Sequence, residues 1–254
     1  MISFFRKIRK SLLAQSKVTR YIIYALGEIL LVVIGIFIAL QLNIWNEKNK
    51  EKKEAEKFIT RLLEEVTTNI GHVESQMEIE DRQIESSKRI LEMFNEAENE
   101  RSSAELDSLI FNILNANSVE FNLGTLLEGQ NTGKIALIAS DELRLRLYNL
   151  PSALETVRRR EAIAAQDVNE QFATFLYSSY NYRNMDNNYS REKGKLGNTK
   201  FKDYDNLILF ESQMFENLID NRYYNNESQR KDLEKLMEQL QIINDLIQKE
   251  LGND

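Results

Sequence analysis

The chain has 254 residues, of which 42% are hydrophobic and 29% charged, and this suits one sizeable folded domain or two small ones. One proline and nine glycines occur among many Leu, Ile, Glu, Lys, Asn and Gln residues, a composition that favours helices over a sheet. The absence of cysteine excludes disulfide bonds and thiolate metal sites, and the single histidine, His72, excludes a multi-histidine metal site. We therefore expect neither a metal nor another cofactor.

Charge is unevenly distributed along the chain. Residues 1–20 hold six Lys or Arg residues and no acid. Residues 46–254 hold the other 27 of the 33 basic residues and 39 of the 40 acidic residues, an excess of 12 negative charges. The basic N-terminal segment fits an anionic membrane surface. The acidic remainder argues against a nucleic-acid partner.

Residues 1–20 have the pattern of a short amphipathic helix. Apolar side chains recur at helical spacing at Ile2, Phe5, Ile8 and Leu12. The basic residues between them are expected to lie at the cytoplasmic membrane interface: Arg6, Lys7, Arg9 and Lys10.

A stretch with one charge follows. Tyr21–Leu42 comprises 22 residues, or ~33 Å of helix, which is enough to cross a bilayer. Tyr21, Tyr24 and Trp45 are placed like interfacial aromatic residues, which predicts a transmembrane anchor over residues 21–45. A cleaved signal peptide is the alternative, but the sequence QLNIWN follows instead of a small-residue cleavage site. We therefore predict an uncleaved signal-anchor.

The orientation of this anchor is not decided by its basic flanks. Six Lys or Arg residues precede it and six more lie in residues 46–61. The N-terminal side is short and easier to retain in the cytoplasm, whereas long domains cross largely regardless of their charge. We expect residues 46–254 to form a helical domain outside the cytoplasm, in the periplasm.

Glu28 is the one charge within the anchor, where a charge is expensive and normally faces protein, water or a partner. Its side of the helix carries the small residues Ala25, Gly35 and Ala39, and the last two form a small-xxx-small pair. Three explanations are open. The carboxylate reaches the cytoplasmic interface, or a protonated carboxyl group hydrogen-bonds across a helix–helix contact, or the residue belongs to a proton path shared with another membrane protein.

The N-terminal sequence also resembles a protein family. FFRKIRKSLL followed by YALGEILLVVIGIFIALQLNIWNE is similar to the N-termini of an uncharacterised family of single-span membrane proteins of Bacteroidota, which share the pieces FFRKIR, GEI, LVVIGI, IAL and NxWNE. The segment GKIALIASDELRLRLYNL, Gly133–Leu150, resembles the central part of that family. The resemblance implies an inner-membrane anchor and a helical periplasmic domain, and it implies no activity.

Two heptad rows predict a long helix after the anchor. The first row is Leu63, Ile70, Met77, Ile84 and Leu91. The second row contains Ile59, Val66, Val73 and Phe94, and is broken at Glu80 and Ser87. Such a helix packs within its own domain or against another chain, and the polar breaks favour the first arrangement. The sequence TTNIG, Thr67–Gly71, is a candidate break in the helix.

Shorter helices are predicted in the middle of the chain. Ser102 and Glu105 form a capping-box pattern that opens a helix ending near Asn115, and a loop follows. Thr125 and Glu128 indicate the start of a second short helix.

Longer helices are predicted in the second half. Ser140 is expected to cap one helix, and Pro151 to lie in the first turn of the next, which continues through residues 152–180. Asn181–Asn206 is polar and has no apolar period, so we expect an exposed connection. Two further helices are predicted after it, in residues 207–224 and beyond. The last carries a seam that is a natural mate for the heptad helix: Leu233, Leu236, Leu240, Ile243 and Ile247.

None of the candidate catalytic patterns is convincing. Gly129–Ile135, GQNTGKI, has three residues between its glycines and Ile after Lys, so it is a turn and not a phosphate loop. His72 is expected to be a solvated helix histidine. Arg158–Arg160 lies beside acidic residues and is expected to form a salt-bridged face, and the many other carboxylates are expected to be solvated.

These observations predict an all-α protein, with one N-terminal transmembrane helix followed by an elongated helical bundle with long coiled-coil-like helices. We expect an interaction or scaffold protein of the cell envelope and not an enzyme. Its partners would be the lipid bilayer and either another protein or a second copy, without nucleic acid. The alternatives are a helical-bundle ligand-sensing module and an energy-coupling accessory subunit that uses Glu28.

Overall fold

The described part of the chain is helical. The computed structural model describes residues 17–189, 195 and 197–252, with the side chains of residues 22–186, 195 and 197–252. These ranges contain helices and no strand, which confirms the all-α class. The α-helices are α1 (Lys17–Met93), α2 (Ser103–Ile113), α3 (Gly124–Thr132), α4 (Asp141–Asp167), α5 (Ala173–Ser179), α6 (Tyr182–Tyr189) and α7 (Gln213–Gly252). Short 3₁₀ segments occupy Glu98–Glu100, Lys134–Leu137 and Asn206–Glu211, and a π-helical turn occupies Val168–Phe172.

The chain divides into two compact units between Glu56 and Lys57. The first unit contains the apolar stretch of α1, which is by length and composition the part able to cross a membrane. Its mean hydropathy is 2.6 and none of it is buried. From Ile22 to Trp45 every side chain is exposed except that of Ala25, which is half-buried.

The second unit is organised by α1 from Lys57 onwards and by α7, which run antiparallel. Gln229 bonds to Glu80, and Asn226, one turn earlier in α7, bonds to Gln83, one turn later in α1. Helix α4 packs against α7 as well. The predicted pairing of the last apolar seam with the heptad helix is confirmed, because both contribute to one apolar cluster.

Two apolar clusters fill this unit, and burial stabilises each of their larger side chains by about 1.5–3 kcal/mol. Cluster A contains Phe58, Ile59, Leu62, Val66 and Val73 of α1, Leu143, Leu147, Leu150, Leu154 and Val157 of α4, and Leu233, Leu236, Leu240, Ile243 and Ile247 of α7, among others. Cluster B contains Ile90, Met93, Leu106, Ile110, Ile113, Phe172, Leu176, Phe215, Leu218 and Ile219, among others.

The broken heptad row is the more deeply buried of the two. Val66 and Val73 are at most 1% exposed, and Glu80 and Ser87 continue the same buried row at 1% and 0%. The members of the unbroken row are only half-buried. The helix therefore packs within its own domain, as the breaks indicated, but the polar residues at the breaks lie inside it.

Two predicted interruptions are wrong. Helix α1 continues through Thr67–Gly71, because Asn69 in that segment is held by an amide pair with Asn122: its Nδ2 donates to Asn122 O at 2.7 Å, and Asn122 N donates to its Oδ1 at 2.9 Å. Helix α4 continues through Pro151 instead of starting there. The missing hydrogen bond costs about 3 kcal/mol, and the apolar side chains that α4 buries on both sides of the proline offset it.

The helix starts at the two serines are confirmed. Ser102 Oγ accepts the Glu105 amide at the start of α2, and Ser140 caps α4 in the same way. Helix α3 begins at Gly124, so Thr125 is its second residue and not its cap. The carboxylate of Glu65 on α1 accepts the first-turn amides of α3 instead, at 2.6 and 3.0 Å.

The prediction of an exposed connection over Asn181–Asn206 is wrong at both ends. Helix α6 occupies its first part, and Asn206 is fully buried. Asn206 Nδ2 and Tyr180 Oη both donate to Oδ1 of the buried Asp107, at 2.9 and 2.5 Å. The two C-terminal helices are in fact one, because α7 runs unbroken from Gln213 after a 3₁₀ segment.

Candidate functional site

A polar layer separates cluster A from cluster B inside the second unit. Its members are at most 6% exposed, although most carry a full charge or an amide. We define the polar layer by these side chains: Gln76, Glu80, Gln83, Ser86 and Ser87 of α1, Glu161 of α4, and Arg222, Asn225, Asn226 and Gln229 of α7. Burying a charge costs free energy unless the charge is paired, so apolar packing alone does not explain why these side chains lie in the interior. The polar layer is therefore the candidate functional site of this unit.

Glu80 lies at the centre of the contact between α1 and α7. Its Oε1 accepts hydrogen bonds from Gln76 Nε2 at 2.8 Å and from Gln229 Nε2 at 2.9 Å. Its Oε2 is buried without a hydrogen-bond partner in the described part of the chain. Burial raises the pKa of Glu80 to about 7, although the Gln76 hydrogen bond and the charge of Arg222 act in the opposite direction.

Arg222 is the largest fully buried side chain of the described residues. Its Nη2 donates to Gln83 Oε1 at 3.0 Å and lies 3.4 Å from Asn115 O, whereas its Nε and Nη1 have no hydrogen-bond partner among the residues that the structure describes. Burial lowers the pKa of Arg222, and the charges of Glu80 and Asp167 raise it. A guanidinium nevertheless stays protonated in proteins, so the layer contains a permanent positive charge.

A π-helical turn, Val168–Phe172, joins α4 to α5 directly after Asp167. Such turns are frequent at functional sites. Asp167 Oδ1 accepts from Asn221 Nδ2 at 2.6 Å, and its Oδ2 is buried without a hydrogen-bond partner within the described residues. Burial raises the pKa of Asp167, opposed by the charge of Arg222 and by the Asn221 hydrogen bond.

Glu161 connects the layer to the loop after α2. Its Oε1 accepts the amide of Val119 at 2.7 Å, and its Oε2 pairs with Arg158 Nη1 at 3.0 Å. Arg160 pairs with Asp232 at 3.4 Å. Arg158 and Arg160 thus form salt bridges, as expected for the triple-arginine segment. The partner of Arg158, Glu161, is buried.

The polar layer places opposite charges near each other without direct pairing. Within the described residues, Arg222 forms no ion pair with Glu80 or Asp167, although the charge of each carboxyl group raises its pKa. A buried donor or acceptor without a partner costs about 1–3 kcal/mol. The layer can therefore bind a proton, water or a small polar group more favourably than the surrounding apolar clusters can.

The residues predicted at the membrane remain predictions. Arg6, Lys7, Arg9 and Lys10 lie outside the described residues, and Tyr21 lies in α1 without a described side chain. Tyr24 and Trp45 are 80% and 65% exposed. Glu28, Gly35 and Ala39 are exposed and Ala25 is half-buried, and a Cβ atom added to Gly35 would meet nothing within 4 Å.

Two other predicted features are accounted for by local structure. The predicted turn over GQNTGKI is found only in part, because Gly129–Thr132 belong to α3 and the chain turns at Gly133, whose φ is 76°. His72 is half-buried, and its Nδ1 lies 3.2 Å from Glu120 O.

Arg222 and Asp167 were not among the residues predicted from the sequence. The signal for Arg222 was present, because the 3-4 spacing of the apolar residues in α7 continues from Leu218 through Arg222 and Gln229 to Leu233. A charged residue in register with an apolar seam is a candidate for burial. Asp167 gave no such signal, because its position depends on the π-helical turn that follows it.

No protein-family model, curated protein or solved structure matches the chain. The apolar stretch of α1 and the polar layer are the two features from which a function can be argued.

Proposed function

We propose that the chain is a single-pass protein of the inner membrane that acts as an interaction or scaffold protein of the cell envelope. The exposure of the apolar stretch of α1 carries this proposal, because about two dozen residues of such hydropathy are stable only in lipid or against a partner. Residues 1–20 would be cytoplasmic and residues 46–254 periplasmic. The resemblance of the N-terminal sequence to single-span proteins of Bacteroidota supports the same assignment. We propose no catalytic activity, cofactor or nucleic-acid partner.

The proposed orientation is tested with reporters fused to each end of the full chain. A C-terminal reporter that is active only outside the cytoplasm should be active, and an N-terminal one should not. The physical reason is the shortness of the N-terminal segment, which is easier to retain in the cytoplasm, whereas long domains cross largely regardless of their charge. A cytoplasmic C-terminus would contradict the periplasmic assignment and with it the proposed envelope partner.

The partner is expected to contact the side of the anchor that carries Glu28. The small residues on this side allow close approach of a second helix, and a carboxyl hydrogen bond would add ~1 kcal/mol. Glu28→Gln keeps a donor and an acceptor, so association should survive, whereas Glu28→Leu and Gly35→Leu should weaken it. Phe37→Leu is the control, because at about 100° per residue Phe37 lies opposite Glu28.

Association is measured by crosslinking or energy transfer between tagged copies in membranes, and by affinity purification of the intact protein in mild detergent with identification of co-purifying proteins. Unchanged association in Glu28→Leu and Gly35→Leu would reduce the segment to a plain anchor. Loss of function in Glu28→Gln with intact association would instead favour the energy-coupling subunit.

A ligand-sensing module is the second candidate function, and the polar layer favours it. Arg222 and Glu80 of this layer and Asp167 of α4 each present a buried atom without a hydrogen-bond partner among the described residues. A small zwitterion such as an amino acid offers both a carboxylate and an ammonium group for such a set. Thermal unfolding of the full chain with the common amino acids at millimolar concentration tests this candidate. No shift in unfolding temperature with any of them would remove it.

A further inference from the structure

We propose that Glu80 is a proton-binding switch in the polar layer: its neutral carboxyl group is compatible with the closed contact of α1 with α7, and its ionised form loosens that contact. The inference concerns residues of the second unit only. It is therefore independent of the anchoring and the partner proposed above.

The geometry holds the carboxyl group in place but does not neutralise its charge. Glu80 is 1% exposed, and its only hydrogen bonds within the described structure come from the neutral amides of Gln76 and Gln229. Both bonds go to Oε1, and Oε2 is left without a partner. A carboxyl group with two neutral donors on one oxygen and none on the other is well placed to carry a proton on the second oxygen.

The charged groups that face Glu80 from the helices packed around it do not neutralise the negative charge of its ionised carboxylate. Among the described residues, Arg222 on α7 is the cation that opposes the effect of this burial most strongly, and it does so without a direct ion pair. Glu161 on α4 and Asp81 on α1 itself both repel a negative charge at Glu80. Their own charges are balanced elsewhere, by Arg158 and by Arg230, at 3.0 and 2.8 Å. Ionisation thus places an unpaired charge in the interior.

The expected consequence is a local opening as pH rises. Burial raises the pKa of Glu80 to about 7, so the group changes its charge near neutrality. The ionised carboxylate needs hydration, and water can reach it only if α1 and α7 separate at the layer. A domain in a compartment whose pH follows the surroundings would then be tighter in acid and looser in base.

The test is urea unfolding of the full chain in mild detergent at a series of pH values, followed by circular dichroism. For a group that titrates at 4.5 in the unfolded chain and at about 7 in the fold, the unfolding equilibrium constant should rise roughly 25-fold between about pH 5.5 and about pH 8. Glu80→Gln should lack this component. Glu78→Gln is the matched control, because Glu78 is exposed on the same helix, and it should keep the wild-type profile.

A Glu80→Gln profile that rises as steeply as the wild-type profile would overturn the proposal.

Amide hydrogen exchange of the wild-type chain gives a second measurement that does not depend on the folding of any variant. Corrected for intrinsic rates, protection in residues 76–87 and 222–229 should fall from about pH 6 to about pH 8, while protection in cluster A is retained. Unchanged protection in the polar layer would refute the switch.

Discussion

Substitution of Gly129 by alanine tests the packing of α3 against α1. Gly129 is buried, and a Cβ atom at this position would lie 2.3 and 2.6 Å from the ring atoms Cζ and Cε2 of Phe58 and 3.2 Å from Ile135 Cγ1. The Phe58 ring is itself 2% exposed within cluster A, so it has little room to move away. Overpacking of this kind costs about 1–3 kcal/mol. The higher helix propensity of alanine offsets up to about 1 kcal/mol of this cost. We therefore expect Gly129→Ala to lower the free energy of unfolding by about 1–2 kcal/mol.

Gly71→Ala is the matched control, because it makes the same chemical change inside α1 without a steric consequence. A Cβ atom at Gly71 meets nothing within 4 Å, and the residue is exposed. The variant should gain about 0.5–1 kcal/mol from helix propensity alone. The two glycine substitutions should therefore shift stability in opposite directions.

The assay is urea unfolding of the full chain in mild detergent. Thermal unfolding is a second measurement, in which each kcal/mol should shift the unfolding temperature by about 2–4 °C. Phe58→Leu should reduce the cost of Gly129→Ala in a double-mutant cycle, because the smaller side chain makes room for the new methyl group. A stabilising Gly129→Ala, or a cost unchanged by Phe58→Leu, would refute the packing of α3 described above.

Further predictions concern the hydrogen bonds of the second unit and its composition. Asp107→Ala should lower the free energy of unfolding by about 2–3 kcal/mol in urea titrations, because it removes the acceptor of Tyr180 Oη, and Asp107→Asn should cost less because it keeps an acceptor oxygen. Glu65→Ala should cost about 1–2 kcal/mol through loss of the cap on α3, whereas Ala at the exposed Glu64 should be nearly neutral. The purified full chain should give a strongly helical circular dichroism spectrum and no stoichiometric metal in elemental analysis.

The fold class and several helix boundaries could be predicted because they depend on local chemistry. Ser102 and Ser140 cap their helices through hydrogen bonds to residues three positions later, a relation that the sequence displays directly. The seam of α7 was visible for the same reason, since its period is that of one helix face.

The errors arose where long-range contacts outweigh local preference. Pro151 stays inside α4 because of the apolar side chains around it, and Thr67–Gly71 stays helical because Asn69 is held by a loop more than fifty residues away. Asn206 looked like a polar linker residue because an isolated buried amide has no periodic signature. Its burial depends on Asp107, which lies 99 residues earlier.

The polar layer was visible in the sequence only as a defect, the two breaks in the second heptad row. An unbroken apolar seam between α1 and α7 would pack almost equally well after a shift of one heptad, because equivalent side chains would meet again. The hydrogen bonds from Gln229 to Glu80 and from Arg222 to Gln83 form in one register only. Replacing buried charged groups by apolar ones often leaves the stability of a protein unchanged or increases it. The layer is therefore better explained by its effect on the register of α1 and α7 than by a contribution to stability. One of the residues that fix the register is Glu80, whose titratable carboxyl group is thereby buried without a direct countercharge. This burial is what makes Glu80 sensitive to pH.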